Sequence, residues 1–193
     1  MNDVAPPPPP TPLPPGYPAD LERTWLAADG TAVRIRPQRA DDLDREVRFI
    51  ESLSEQTLYL RLQYSARNVS RQEVARLLDL DYRDRMAFAA LTGPSHDETI
   101  IGVSRYARID ATDRAECAIV VADRWQGRGV GTELMRSLGL AARRNGIRTL
   151  VGTSLAENQR IQAWARRFGF DARTEPHSGG EVLITLDLGS LPS

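Results

Sequence analysis

The stretch Gln126-Gly127-Arg128-Gly129-Val130-Gly131-Thr132 decides how the rest of the chain is read. It follows an apolar run, Cys117 to Ala122, and opens an amphipathic segment whose pattern predicts a helix to Asn145. Glycines at alternate positions leave the backbone bare, so a ligand can come close to the amides. The helix behind them adds unpaired N–H groups and the positive end of its dipole. Strand, glycine turn and helix N-terminus together predict a seat for a pyrophosphate.

Two nucleotide-binding patterns do not fit. A dinucleotide fold places G-x-G-x-x-G directly after the strand, with an acid about 20 residues on. Here Asp123, Arg124, Trp125 and Gln126 intervene, Thr132 stands where the third glycine belongs, and Leu150-Val151-Gly152 offers no acid. A P-loop needs Gly-Lys-Ser/Thr, and the chain contains no lysine.

Gln126-x-x-Gly129-x-Gly131 instead resembles the Q/R-x-x-G-x-G/A acyl-CoA signature of the GNAT superfamily of N-acetyltransferases. Downstream, Glu157-Asn158 followed by Trp164, Phe168, Gly169 and Phe170 is similar to that superfamily's second block. Upstream, Val33-Arg34-Ile35-Arg36-Pro37 and Asp41-Asp42 resemble its first strand and helix entry. The likeness spans roughly residues 30 to 188. Leu53 to Arg61 and Ala115 to Gly129 further resemble bacterial protein-lysine acetyltransferases. In those proteins the GNAT domain is often fused to an acyl-CoA-synthetase-like or cyclic-nucleotide-binding domain, and neither is legible in these residues.

Composition narrows the alternatives. A chain of 193 residues is expected to form one domain with a full core. With 25 cationic against 26 acidic residues the net charge is −1, which gives no footprint for nucleic acid or an anionic membrane. Every cation is arginine, so the chain cannot acetylate a lysine side chain of its own. Cys117 is the single cysteine and sits in an apolar run, which predicts a buried core residue, not a nucleophile. His96 and His177 lie far apart with no ligand cluster around them, so no metal is expected. No apolar run approaches a membrane span and no signal peptide opens the chain; a cytoplasmic protein is expected.

Residues 1–18 hold nine of the thirteen prolines, and residues 1–20 are expected to form a disordered proline-rich tail ahead of a folded domain at 21–189. Trp25 to Ile35 reads as a hairpin turning at Asp29-Gly30. Asp41-Asp42 opens a helix with Leu43, Val47 and Ile50 on its face, Ser54 starts another, and Ser70-x-x-Glu73 is a capping box. Phe88 to Leu91, Ile100 to Ala107, Ala115 to Val121 and Thr149 to Thr153 read as strands, with Gln159 to Arg167 helical. Phe170 to Thr174 and Glu181 to Leu188 would close the fold as a hairpin around Ser178-Gly179-Gly180. The expected class is α/β (α+β), a mixed and largely antiparallel central sheet flanked by helices, which is also what the resemblance implies.

The resemblance implies acetyl-CoA as cosubstrate and an amine as acceptor. Gly127, Arg128, Gly129, Val130, Gly131 and Thr132 would hold the pyrophosphate behind Gln126, with Arg128 or Arg124 adding charge. Ile119, Val120 and Val121 would pair with the pantetheine arm. Asn158 would touch that arm or simply cap its helix. Glu116, ten residues before Gln126, lies where protein-lysine acetyltransferases carry a catalytic glutamate. It would take the amine proton, because lysine with a pKa of about 10.4 is mostly ammonium at neutral pH; the plain alternative is an exposed strand glutamate. Ala165 stands at the position where many members have a tyrosine that protonates the leaving thiolate. Tyr59, Arg61, Tyr64, Asp81 and His177 are candidate acceptor contacts. A protein lysine is the expected acceptor; a small amine, or a silent acyl-CoA-binding module, are the alternatives.

Overall fold

The computed structural model describes residues 12–62, 69–94, 97–174 and 180–190. Among these residues eight strands lie in one sheet: β1 (Arg23–Leu26), β2 (Ala32–Pro37), β3 (Arg85–Thr92), β4 (Thr99–Arg108), β5 (Arg114–Val121), β6 (Thr149–Leu155), β7 (Asp171–Thr174) and β8 (Glu181–Asp187). Their order is β1-β2-β3-β4-β5-β6-β8-β7. Every pairing is antiparallel except β5 with β6. Five α-helices among the described residues flank the sheet: α1 (Leu43–Glu51), α2 (Glu55–Leu62), α3 (Arg71–Leu77), α4 (Val130–Arg144) and α5 (Gln159–Phe168). The mixed, mostly antiparallel architecture expected from the sequence is the one observed.

Local chemistry explains the punctuation. The β1–β2 turn closes through Asp29, whose Oδ1 accepts from the Thr31 amide at 3.0 Å, and Gly30 adopts φ +81° there. Ser70 and Glu73 form the reciprocal capping box at the start of α3. Helix α5 begins at Asn158, whose side chain caps the Ile161 amide, and ends at Gly169 with φ +114°. Strand β3 is apolar at nearly every position because helices cover both faces of the sheet there.

Each face carries its own core. On one side α4 lays Val130, Leu134, Leu138 and Ala142 on the sheet, all fully buried, beside Met86, Phe88 and Leu150. Burying each of the larger of these side chains contributes about 1.5–3 kcal/mol. On the other side Phe49 and Leu53 pack on Ala89, Leu91 and Val103, with Leu58 of α2 at the margin. The buried face of α1 is not the one its apolar spacing indicates. Leu43, Val47 and Ile50 are half-buried, while Glu46 and Phe49 point inward. Glu46 can do so because Gln38 donates to it at 2.7 Å and Arg105 at 2.8 Å. Nearby, a fully buried Arg36–Asp42 pair at 2.6 Å ties β2 to the start of α1.

Packing also begins before residue 21. Residues 1–11 lie outside the described residues, but Tyr17 stacks edge-on against Tyr82 with ring centroids 5.5 Å apart. Its hydroxyl donates to Glu22 at 2.6 Å, and burial together with that carboxylate raises the phenol above its usual range. A proline-rich composition conceals this aromatic anchor. Tyr17→Ala is therefore expected to cost about 1–3 kcal/mol of stability. Thermal unfolding reads this as a midpoint lower by several degrees; an unchanged midpoint would show that Tyr17 anchors nothing.

Candidate active site

Strands β5 and β6 stay paired for only three residues, Arg114, Ala115 and Glu116 opposite Thr149, Leu150 and Val151. Beyond Glu116 they part, and a cleft of about 1680 Å³ opens between them. One wall is the free edge of β5 with the glycine turn and α4. The end of β6 and α5 form the opposite wall, and α2 covers the inner end with Tyr59, Leu60 and Arg61.

The glycine turn forms the outer end. Gly127 and Gly129 have φ +78° and +92°, a left-handed conformation that disfavours side chains. Gly129 is the N-cap of α4 and no side chain caps that helix. The first amides of α4, from Val130 to Thr132, thus have no partner within the helix and are open to an anion. A Cβ on Gly129 would meet the Trp25 ring at 3.1 Å, so the turn rests directly on that indole.

Three arginines stand near the turn, each held differently. Arg128 pairs with Asp29 at 2.6 Å and lies over the Trp125 ring, which directs it away from the amides. Arg124 is exposed. Arg160 of α5 instead crosses the cleft, donating to Gln126 Oε1 at 2.7 Å, with its other terminal nitrogen 3.7 Å from where a Gly127 Cβ would stand. Its place two residues after Asn158 is the only hint the sequence holds.

Along β5 the main chain alternates. The Ala122 amide donates to Ile101 of β4, so Val120 likewise turns its backbone to β4, while Ile119 and Val121 turn theirs to the free edge. The Val121 carbonyl accepts from Gln126 Nε2 at 3.0 Å. Val120 therefore has only its side chain to offer, a narrower part than the three-residue run implied. Across the cleft, Asn158 lines the wall while its Oδ1 caps the Ile161 amide at 3.2 Å. Trp164 donates to Thr132 Oγ1 at 3.2 Å and stacks on Phe168. Ala165 is fully buried in the core and has no path to the cleft.

Glu116 is exposed at the inner end, the last β5 residue paired with β6. By strand alternation it shares a face with Ala118 and Val120, while Cys117 and Ile119 pack toward the α4 core. Arg105, across from Ala118, is its diagonal neighbour on β4. Arg61 lies within electrostatic reach of Glu116, Glu46 and Arg105; burial and the adjacent Arg105 lower its guanidinium below the usual range. Burial likewise pushes the Glu46 carboxyl up despite Arg105 and Gln38. Tyr59 bonds Glu157 from across the cleft, and that carboxylate raises its phenol.

Other candidates fall elsewhere. Asp81 holds a tight turn, its Oδ1 accepting from the amides of Arg83, Asp84 and Arg85 at 2.8 to 2.9 Å, and it does not line the cleft. Tyr64, His96, His177 and the Ser178-Gly179 part of the closing hairpin lie outside the described residues. Burial pushes the Cys117 thiol up to about 12, with Glu116 adding to the shift, so it is no nucleophile. Among the described residues there is no cluster of metal-ligating side chains, and no helix is long and apolar enough to cross a membrane.

Comparison with known proteins points one way. The family model described as Acetyltransferase (GNAT) family matches residues 49–170, which include the cleft's glycine turn, Glu116 and Asn158. Acetyltransferase PA5475 of Pseudomonas aeruginosa is 36% identical over 166 residues, covering 85% of this chain and 89% of that one. Acetyltransferase Pat of Mycolicibacterium smegmatis is 31% identical over 137 residues, 70% of this chain and 40% of that longer protein. The crystal structure of the GNAT domain of S. lividans PAT superposes with a TM-score of 0.82 at 31% identity, covering 89% of this chain and 99% of that one.

Proposed function

This chain belongs to the acetyltransferase (GNAT) family and is an acyltransferase, and we propose that it carries the acetyl group of acetyl-CoA to a protein lysine with Glu116 as general base. One observation carries the reading: β5 and β6 part at Glu116, and the cleft so opened ends at the uncapped N-terminus of α4. From Glu116 to Val121 the strand runs about 17 Å, room for an extended pantetheine arm.

In this reading the pyrophosphate sits on the amides from Gly127 to Thr132, with Arg160 supplying the cation. Ile119 and Val121 offer main-chain groups to the pantetheine amides, and Asn158 Nδ2 reaches it from the far wall. The thioester then lies beside Glu116. The carboxylate takes a proton from the lysine ammonium, and the neutral nitrogen attacks the thioester carbonyl, forming the N–C bond. The C–S bond breaks, the sulfur leaves as thiolate, and the second proton of the acylated nitrogen passes to that thiolate or to water, leaving the neutral amide. A thiol with a pKa near 8.5 leaves without an acid at this pH range, which agrees with Ala165 being sealed in the core.

A lysine acceptor is supported by the similarity of Leu53–Arg61 and Ala115–Gly129 to protein-lysine acetyltransferases. The test is a lysine-peptide array with labelled acetyl-CoA, run beside a panel of free amino acids and small amines. Because these 193 residues include no lysine, side-chain label on lysine can come only from the acceptor. Transfer to peptides is expected; transfer confined to small amines would overturn the lysine assignment and keep the enzyme class.

A further inference from the structure

We infer that Asp123 is a positioning residue for the acceptor side of the cleft, clamping the N-terminus of α2 to the same corner of backbone that begins the glycine turn. The inference rests on the functional reading above, in which Glu116 meets the acceptor at the end of the cleft that α2 covers.

Among the described residues, helix α2 meets the core through Leu58 at the margin of the smaller cluster, while Tyr59, 43% exposed, reaches Glu157 across the cleft and Arg61 lies near Glu116, Glu46 and Arg105. The helix nevertheless places Tyr59 and Arg61 over the end of the cleft that Glu116 occupies. What holds its first turn is a carboxylate. Asp123 Oδ2 accepts from the Ser54 amide at 3.1 Å, and Oδ1 accepts from the Ser54 hydroxyl at 2.8 Å and the Thr57 hydroxyl at 2.7 Å. The Ser54 hydroxyl oxygen in turn accepts from the Thr57 amide at 3.2 Å, closing the first turn of the helix. Hydrogen bonds to an ionised acceptor are the stronger kind. Burial alone would raise the Asp123 carboxyl, yet these donors hold it below the usual carboxylate range.

The clamp is joined to the cofactor side. Gln126 Nε2 reaches Thr57 Oγ1 at 3.4 Å while donating to the Val121 carbonyl, and Gln126 Oε1 takes Arg160. A continuous chain of polar contacts thus runs from α2 through Asp123 and Gln126 to α5, beneath the glycine turn. Setting both substrates from one corner matters because small misplacement of reacting groups lowers rate steeply.

The experiment uses the full chain with acetyl-CoA bound. Amide hydrogen exchange in Asp123→Ala is expected to speed about tenfold across 57–61 with β4 and β5 unchanged, since local opening follows lost local contacts. On the best peptide from the lysine array, kcat/KM for the acceptor should fall about 10–100-fold while acetyl-CoA affinity stays within about threefold. Asp123→Asn keeps Oδ1 for the two hydroxyls but cannot accept from the Ser54 amide, so it should fall between; it also serves if the alanine variant folds poorly. Unchanged exchange overturns the clamp. Faster exchange with unaltered acceptor kinetics, or a loss confined to acetyl-CoA affinity, overturns the positioning role. A wild type that binds acetyl-CoA and acetylates no amine defeats the functional reading instead, and exchange still decides the clamp.

Discussion

Glu116→Gln lowers kcat at pH 7 by at least about a hundredfold and leaves acetyl-CoA affinity within about twofold, if general-base catalysis contributes its usual 10² to 10⁴. The substitution keeps the size of the side chain and removes the base. Glu116 sits where β5 leaves β6, on the face turned toward α2, whereas the glycine turn proposed to seat the pyrophosphate lies past the far end of the strand. Cofactor binding should therefore be spared. The sign with pH follows from the acceptor: lysine titrates at about 10.4, so the deficit should narrow as pH rises and neutral amine accumulates. Steady-state rates of wild type and variant from pH 7 to 10 measure this. Near-normal turnover of the variant at pH 7 would remove Glu116 from the mechanism.

Gly129→Asp should lower acetyl-CoA affinity by more than about a hundredfold, through strain, contact and charge together. A side chain at φ +92° is strained by about 1–2 kcal/mol, its Cβ would press on Trp25 at 3.1 Å, and its carboxylate would enter an anion site. Gly131 separates the causes. It lacks positive φ, and a Cβ there meets Ile119, Val121 and Trp164 at ordinary distances of 3.5 to 3.9 Å. Gly131→Ala should hence bind within about threefold of wild type, whereas Gly131→Asp should lose binding through charge near the α4 dipole. Titration calorimetry with a melting curve for each variant distinguishes lost binding from lost folding. Unchanged affinity in both aspartate variants would sink the cofactor assignment.

Much of this architecture was legible because its signals are local. Glycines at alternate positions, Asn158 before a helix and Ser70 with Glu73 each act within a few residues, so spacing reveals them. Pairings across the chain were not. Glu46 turns inward because Gln38, just past β2, and Arg105 of β4 meet it, and no periodicity in α1 contains that information. Arg128 is held by Asp29, nearly a hundred residues earlier, and Arg160 reaches the turn through Gln126. Asp123 reads as a loop acid until α2 folds back over it. Tyr17 was hidden by its own neighbourhood of prolines, whose composition says nothing about one aromatic ring finding Tyr82.

The burial of Cys117 has a practical side. Acetyl transfer liberates a new thiol, and disulfide reagents that colour on exchange report it directly. Such reagents need a thiolate, and the sole cysteine of this chain is enclosed with its thiol pushed up to about 12. The folded protein should therefore contribute no signal of its own, and colour can be read as released coenzyme A.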